Sequence, residues 1–96
     1  MAIYKIYKED EDRFFDSLTY RDFELIEKLI DSIIYAINNK KKKIDAFEVI
    51  FSDSSSLIFT ITHDNYKECL ENCIDDFSKR ELFEKCIEIK KLINTL

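Results

Sequence analysis

Lys43-Ile44-Asp45-Ala46-Phe47-Glu48-Val49-Ile50-Phe51-Ser52-Asp53-Ser54-Ser55-Ser56-Leu57-Ile58-Phe59-Thr60-Ile61-Thr62 holds two period-two runs around a polar centre. In the first run Phe47, Val49 and Phe51 share one face of a strand, and Ala46, Glu48 and Ile50 share the other. In the second, Leu57, Phe59 and Ile61 point one way and Ile58, Thr60 and Thr62 the other. Residues 52–56 form the polar turn, with Asp53 placed to bond its own backbone. Two β-branched and aromatic runs around a short polar connection read as a β-hairpin. The chain contains no glycine, so a two-residue primed turn is disfavoured and a loop of about four or five residues is expected.

Upstream of residue 43 the period changes. Phe23, Ile26, Leu29, Ile30, Ile33, Ile34 and Ile37 recur at three and four residues, the apolar stripe of a helix over 19–39. Thr19 followed by Asp22 resembles a capping box at its start, and Asn38, Asn39 and Lys40, Lys41, Lys42 and Lys43 stop it. Residues 1–18 are an arm. Residues 2–7 read as a short strand, or as a segment that turns helical at Glu9, and 9–18 as a short helix ending before Thr19. Downstream, His63 or Asp64 caps a helix with Tyr66, Cys69, Leu70, Cys73, Ile74 and Phe77 on one face. Ser78 and Glu81 form a second capping box, opening a last helix with Leu82, Phe83, Cys86, Ile89, Ile93 and Leu96 inward. These two helices make a helical hairpin over 64–96, with only a residue or so between them. The expected class is α+β in a single domain over 1–96: a small antiparallel sheet, the hairpin 43–62 with or without an N-terminal strand, packed by helices.

Composition narrows the function. The 96 residues carry fifteen Lys and Arg against twenty Asp and Glu, a net charge of −5. That balance argues against direct nucleic-acid binding, which needs a basic face. With neither glycine nor proline, no P-loop, dinucleotide fingerprint or nucleophile elbow can be written. No apolar run reaches the roughly 18–20 residues of a membrane span. The start shows no secretory pattern, and three cysteines are an odd number for a disulfide scaffold. A cytoplasmic protein with reduced thiols is expected.

Several constellations in the sequence have both a chemical and a plainer reading. His63, Cys69, Cys73 and Cys86 are four residue types that ligate zinc. Cys69 and Cys73 nevertheless share the stripe of Leu70 and Phe77, and Cys86 that of Phe83 and Ile89, so packing is the expected role and no metal or cofactor is assigned. A Cys–His nucleophile would need His63 to reach Cys69 or Cys73, and Cys69 lies more than a turn inside its helix. Glu9, Asp10, Glu11 and Asp12, the Asp75–Asp76 pair, and the Glu and Lys of the last helix read as solvated faces. The lysine run reads as a helix stop, and residues 52–56 as a hairpin tip.

Two resemblances bear on function. Ser78-Lys79-Arg80-Glu81-Leu82-Phe83-Glu84-Lys85-Cys86-Ile87-Glu88-Ile89-Lys90-Lys91-Leu92-Ile93 resembles the second helix of a UVR motif. The likeness lies in Phe83-Glu84-Lys85, Glu88-Ile89-Lys90 and the closing Leu92-Ile93, with Cys86 and Ile87 where the motif has paired alanines. It implies a helical hairpin that mediates protein–protein contact, with a subunit or with its own copy as a homodimer. In size, charge and lack of catalytic motifs the chain is also similar in type to the anti-CRISPR proteins of phages. That likeness implies a non-enzymatic inhibitor docking on a basic protein partner such as an RNA-guided nuclease, in the host cytoplasm. For such docking the acidic run Glu9, Asp10, Glu11 and Asp12 would steer, and Tyr4, Tyr7 and Tyr20 would anchor.

Overall fold

A computed structural model describes residues 4–96. Strand β1 (Tyr4–Tyr7) leads into helices α1 (Glu11–Thr19) and α2 (Phe23–Asn38). Strands β2 (Lys43–Ile50) and β3 (Ser56–Thr62) follow, and then helices α3 (His63–Lys79) and α4 (Phe83–Ile93). The class is α+β. The expected hairpin is β2–β3, antiparallel, with Phe47 opposite Phe59 and Val49 opposite Leu57.

The N-terminal strand joins this hairpin, but the sheet is mixed rather than antiparallel. β1 pairs parallel to β2, with Tyr4 opposite Phe47 and Ile6 opposite Val49, in the order β1-β2-β3. The reason is the connection: α1 and α2 lie between the two strands, and a crossover through helices returns the chain in the same direction. The part of the expected strand before Tyr4 lies outside the described residues.

A register shift between Asp45 and Phe47 marks a bulge at Ala46. Ala46, expected beside Glu48 and Ile50, is consequently buried, and its carbonyl accepts a hydrogen bond from Ser32 Oγ of α2 at 3.3 Å. The apolar face of the sheet lies under the helices. Phe14 of α1 is fully buried with its ring centre 6.0 Å from Phe47 and 6.3 Å from Phe59, which stack on each other at 5.0 Å. Burying a ring this completely contributes about 1.5–3 kcal/mol. On the opposite face Lys5, Tyr7, Ile58 and Thr60 are exposed.

Helix α2 packs against β2 on one side and α3 on the other, which is why Leu25 and Ala36 are buried beyond the expected stripe. Every turn that follows a helix is made without glycine. Arg21, Lys40 and Glu81 take left-handed φ of 55°, 55° and 59° just past the ends of α1, α2 and α3. In each case the next N–H reaches back to close the helix: Asp22 to the Ser17 carbonyl (2.9 Å), Lys41 to Ala36 (2.8 Å) and Leu82 to Phe77 (3.0 Å). These are Schellman closures, a motif that normally uses glycine.

The closures displace the expected caps. Thr19 ends α1, and Asp22 alone caps α2, accepting from the Glu24 N–H at 3.0 Å. Ser78 lies inside α3, and α4 begins after Leu82 with no side-chain cap, so three residues separate the hairpin helices. Neither His63 nor Asp64 caps α3; Thr62 holds that position, its hydroxyl accepting from Asn65 Nδ2 at 3.3 Å and not from a helix N–H. With α4 starting at Phe83, its inward side is Cys86 and Ile89, while Leu82, Phe83 and Leu96, expected inward, are exposed.

Candidate functional site

Helix α1 begins where Asp10 caps it, its carboxylate accepting from the Arg13 N–H at 2.9 Å. From there Arg13, Asp16, Ser17 and Tyr20 recur at the spacing of one helical face, while Phe14 turns into the core. Tyr7 closes β1 on the uncovered side of the sheet. The result is a shallow groove of ≈ 580 Å³ between the end of β1 and the outer face of α1, lined by Tyr7, Lys8, Glu9, Arg13, Asp16, Ser17, Tyr20 and Asp22. Tyr7 is 72% exposed and Tyr20 82%, the two most exposed large apolar side chains among the described residues. A tyrosine held in water at this level makes no contribution to the core, so its ring is free to be buried by something else.

The charges around the groove are mostly acidic. Arg13 Nε lies 3.9 Å from Glu9 Oε2, an exposed i,i+4 pair, and among the described residues neither Asp16 nor Lys8 has an ion-pair partner. Glu11 and Asp12 occupy the first turn of α1, where the helix dipole favours negative charge. The Glu9 carbonyl is tied to the hairpin loop by Ser52 Oγ at 2.7 Å, which fixes the chain between β1 and α1.

Of the residues singled out from the sequence, Tyr7, Glu9 and Tyr20 come together at this groove, with Glu11 and Asp12 exposed on the adjoining helix turn. Asp10 is occupied as a cap. Tyr4 is half-buried and lies outside this groove: its hydroxyl donates to Glu24 Oε1 at 2.7 Å and its ring lies 4.7 Å beneath Lys28 Nζ, tying β1 to α2. That hydrogen bond to Glu24 pushes the Tyr4 hydroxyl above its ordinary pKa. Arg13, Asp16 and Ser17 were missed by sequence reasoning, although their spacing from Tyr20 carries the signal.

The remaining chemistry-bearing residues are placed elsewhere. Lys40, Lys41 and Lys42 line a second groove of ≈ 730 Å³ with His63 and the end of the chain. Their backbone closes α2 and holds α3: the Lys41 carbonyl accepts from Tyr66 Oη (3.1 Å) and the Lys42 carbonyl from the His63 N–H (2.7 Å). The His63 ring stands edge-on to Tyr66 at 5.4 Å. Cys73 is buried, and that burial pushes its thiol up to about 11; burial raises the Cys69 thiol as well. A thiol held protonated is a poor nucleophile and a poor ligand. Among the described residues no group of three or more His, Cys, Asp and Glu is arranged to hold a metal ion. No helix among them is long and apolar enough to cross a membrane.

Arg21 fixes the site to the helical hairpin. Its Nε lies 3.0 and 2.9 Å from the two Asp76 carboxylate oxygens, and one terminal nitrogen 2.6 Å from Oδ2 and 3.4 Å from Cys73 Sγ. Such a fork resists rotation in a way that a single ion pair does not. The turn carrying Tyr20 is thereby held against α3. The chain matches no family model, no curated protein and no solved structure.

Proposed function

We propose that this protein is a non-catalytic, acidic protein-binding protein that docks the Tyr7–Tyr20 groove onto a basic surface of another protein. The observation that carries this reading is the pair of tyrosines, more than two-thirds exposed, lining one groove whose carboxylates Glu9, Asp16 and Asp22 outnumber its cations Lys8 and Arg13, with Glu11 and Asp12 exposed beside it. Rigid aromatic anchors with a charged rim are the usual energetic centre of a protein interface. The net charge of −5 supports long-range steering toward a basic partner. Within this reading the partner is an RNA-guided nuclease of a host defence system, the protein is its phage-encoded inhibitor, and the encounter takes place in the host cytoplasm.

Binding to a purified RNA-guided nuclease complex, measured at several salt concentrations, tests it. Tyr7→Ala and Tyr20→Ala are each expected to weaken the affinity about tenfold or more, the cost of losing an interface hot spot. Reversal of Glu9, Glu11 and Asp12 to lysine is expected to slow association and flatten its salt dependence. Asp10 is left intact because it caps α1. An affinity indifferent to both tyrosines would sink the proposal.

A second reading is supported by the α3–α4 hairpin. Phe83 is 58% and Ile87 54% exposed, one turn apart on the outer side of α4. In this reading the hairpin is an interaction module, and Phe83→Asp with Ile87→Asp abolishes its partner contact while Tyr7→Ala leaves it unchanged.

A further inference from the structure

The two edges of the sheet are built differently. β1, described over Tyr4–Tyr7, carries Lys5, and charged edges discourage pairing with other chains. β3 has no such protection. Ser56-Leu57-Ile58-Phe59-Thr60-Ile61-Thr62 contains neither charge nor proline, and the bulge of the sheet lies on β2 instead. Among the described residues no backbone hydrogen bond reaches the outer side of β3; its pairing is with β2 alone. Every second residue of an edge strand turns its N–H and C=O outward, so about half of these seven residues present unpaired donors and acceptors at an uncharged edge.

We propose that the occupant of this edge is a second copy of the chain, paired antiparallel along β3 about a two-fold axis through Phe59. The inference is independent of the Tyr7–Tyr20 surface. Three observations favour self-pairing. Charge is the first: a two-fold axis sets the strand against itself, and an uncharged strand opposes no like charges.

Register is the second. Centred on Phe59, the pairing sets Leu57 opposite the partner's Ile61 and Phe59 opposite the partner's Phe59 on the covered face. On the open face it sets Ile58 opposite the partner's Thr60, so every pair joins residues suited to strands. A one-residue slip would turn Phe59 to the wrong side. Apolar continuity is the third. Leu57 and Phe59 are only half-buried, and Phe15, 51% exposed, has its ring centre 5.5 Å from Phe14, which itself rests on Phe59.

The product is one six-stranded sheet, its two β3 strands at the centre. A seam of one strand pair buries less than the roughly 800 Å² per partner of a standard interface, so the dimer dissociates reversibly on dilution. Sedimentation of the full chain over a range of concentrations, with amide hydrogen exchange on the same samples, tests the proposal. The sedimenting mass is expected to rise from 11.5 kDa toward twice that value while the β3 amides become slower to exchange.

The double variant Ile58→Lys/Thr60→Lys sets like charges against each other across the axis. Within its own chain the same lysines face Glu48 and Asp45 of β2, so the fold is retained and the dimer is lost. Phe83→Asp/Ile87→Asp, on α4, leaves the dimer intact. A wild-type chain that stays at 11.5 kDa, a dimer whose β3 amides exchange at the monomer rate, or a dimer lost with the α4 variant each overturns the proposal.

Discussion

Arg21, Lys40, Ser54 and Glu81 show what a chain without glycine must do to turn. Their φ values of 55°, 55°, 70° and 59° lie in the left-handed region, where Cβ crowds the following carbonyl. An ordinary residue held there costs about 1 kcal/mol or more, sustained by the surrounding hydrogen bonds. Three of the four are charged and exposed, so a long side chain is accommodated while the backbone closes a helix. Arg21 differs from the others because its guanidinium is also spent on Asp76. Glu81→Gly and Lys40→Gly are therefore each expected to raise stability by about 1 kcal/mol, read as an increase in denaturation midpoint at unchanged slope. Arg21→Gly is expected to be destabilising, because relief of the backbone is outweighed by loss of the fork to Asp76.

At the scale of elements, the amphipathic period of α2 and the alternation of β2 and β3 were legible in the sequence because burial on one side imposes them. The helix ends were not. Thr19 and Ser78 carry the residue types of capping boxes, yet both were absorbed into the preceding helix by a left-handed residue two or three positions on, which no pattern of charges or apolar residues announces. The same error counted Leu82 and Phe83 into the inward stripe, whereas they are the cap and first residue of α4, ahead of the buried Cys86 and Ile89. Parallel pairing of β1 was equally hidden: alternation along a strand fits either direction, and only the helical crossover decides. Tyr7 and Tyr20 were readable as surface aromatics, whereas Tyr4 was not separable from them, because its partners Glu24 and Lys28 belong to a distant helix. Capping chemistry gives the matching test. Asp22→Ala, which removes the acceptor for the Glu24 N–H, is expected to cost about 1 kcal/mol, and Ser78→Ala, inside α3, to change stability by less than about 0.5 kcal/mol in chemical denaturation.

For the whole molecule, the titrating groups tied into the structure point to a limit on the alkaline side. Cys73 is raised by burial from an ordinary value of 9.0 to about 11, and Tyr66 is raised by burial above its ordinary 10.0. A group whose folded pKa lies above its unfolded one favours the protonated chain in the folded state. Its contribution is complete below the unfolded value and is lost as pH climbs through the folded one. Stability is accordingly expected to be level in this respect up to about pH 9 and to fall between about pH 9 and pH 11. Thermal melts across that range read the fall, and a flat profile would show that Cys73 ionises as freely folded as unfolded. Thiol-reactive dyes at neutral pH should label Cys73 only after unfolding.

The parallel register of Tyr4 with Phe47 has one more consequence, for the order in which the structure is assembled. The β2–β3 hairpin and the α3–α4 pair join neighbours in the chain, so each can form as soon as its own residues are present. β1 finds its partner only after two helices have been made and docked, and contacts between residues so distant in sequence carry a large loop-closure cost. The first strand is thus expected to be the last piece to settle during folding and the first to peel away, which amide exchange across Tyr4–Tyr7 would read as the earliest loss of protection.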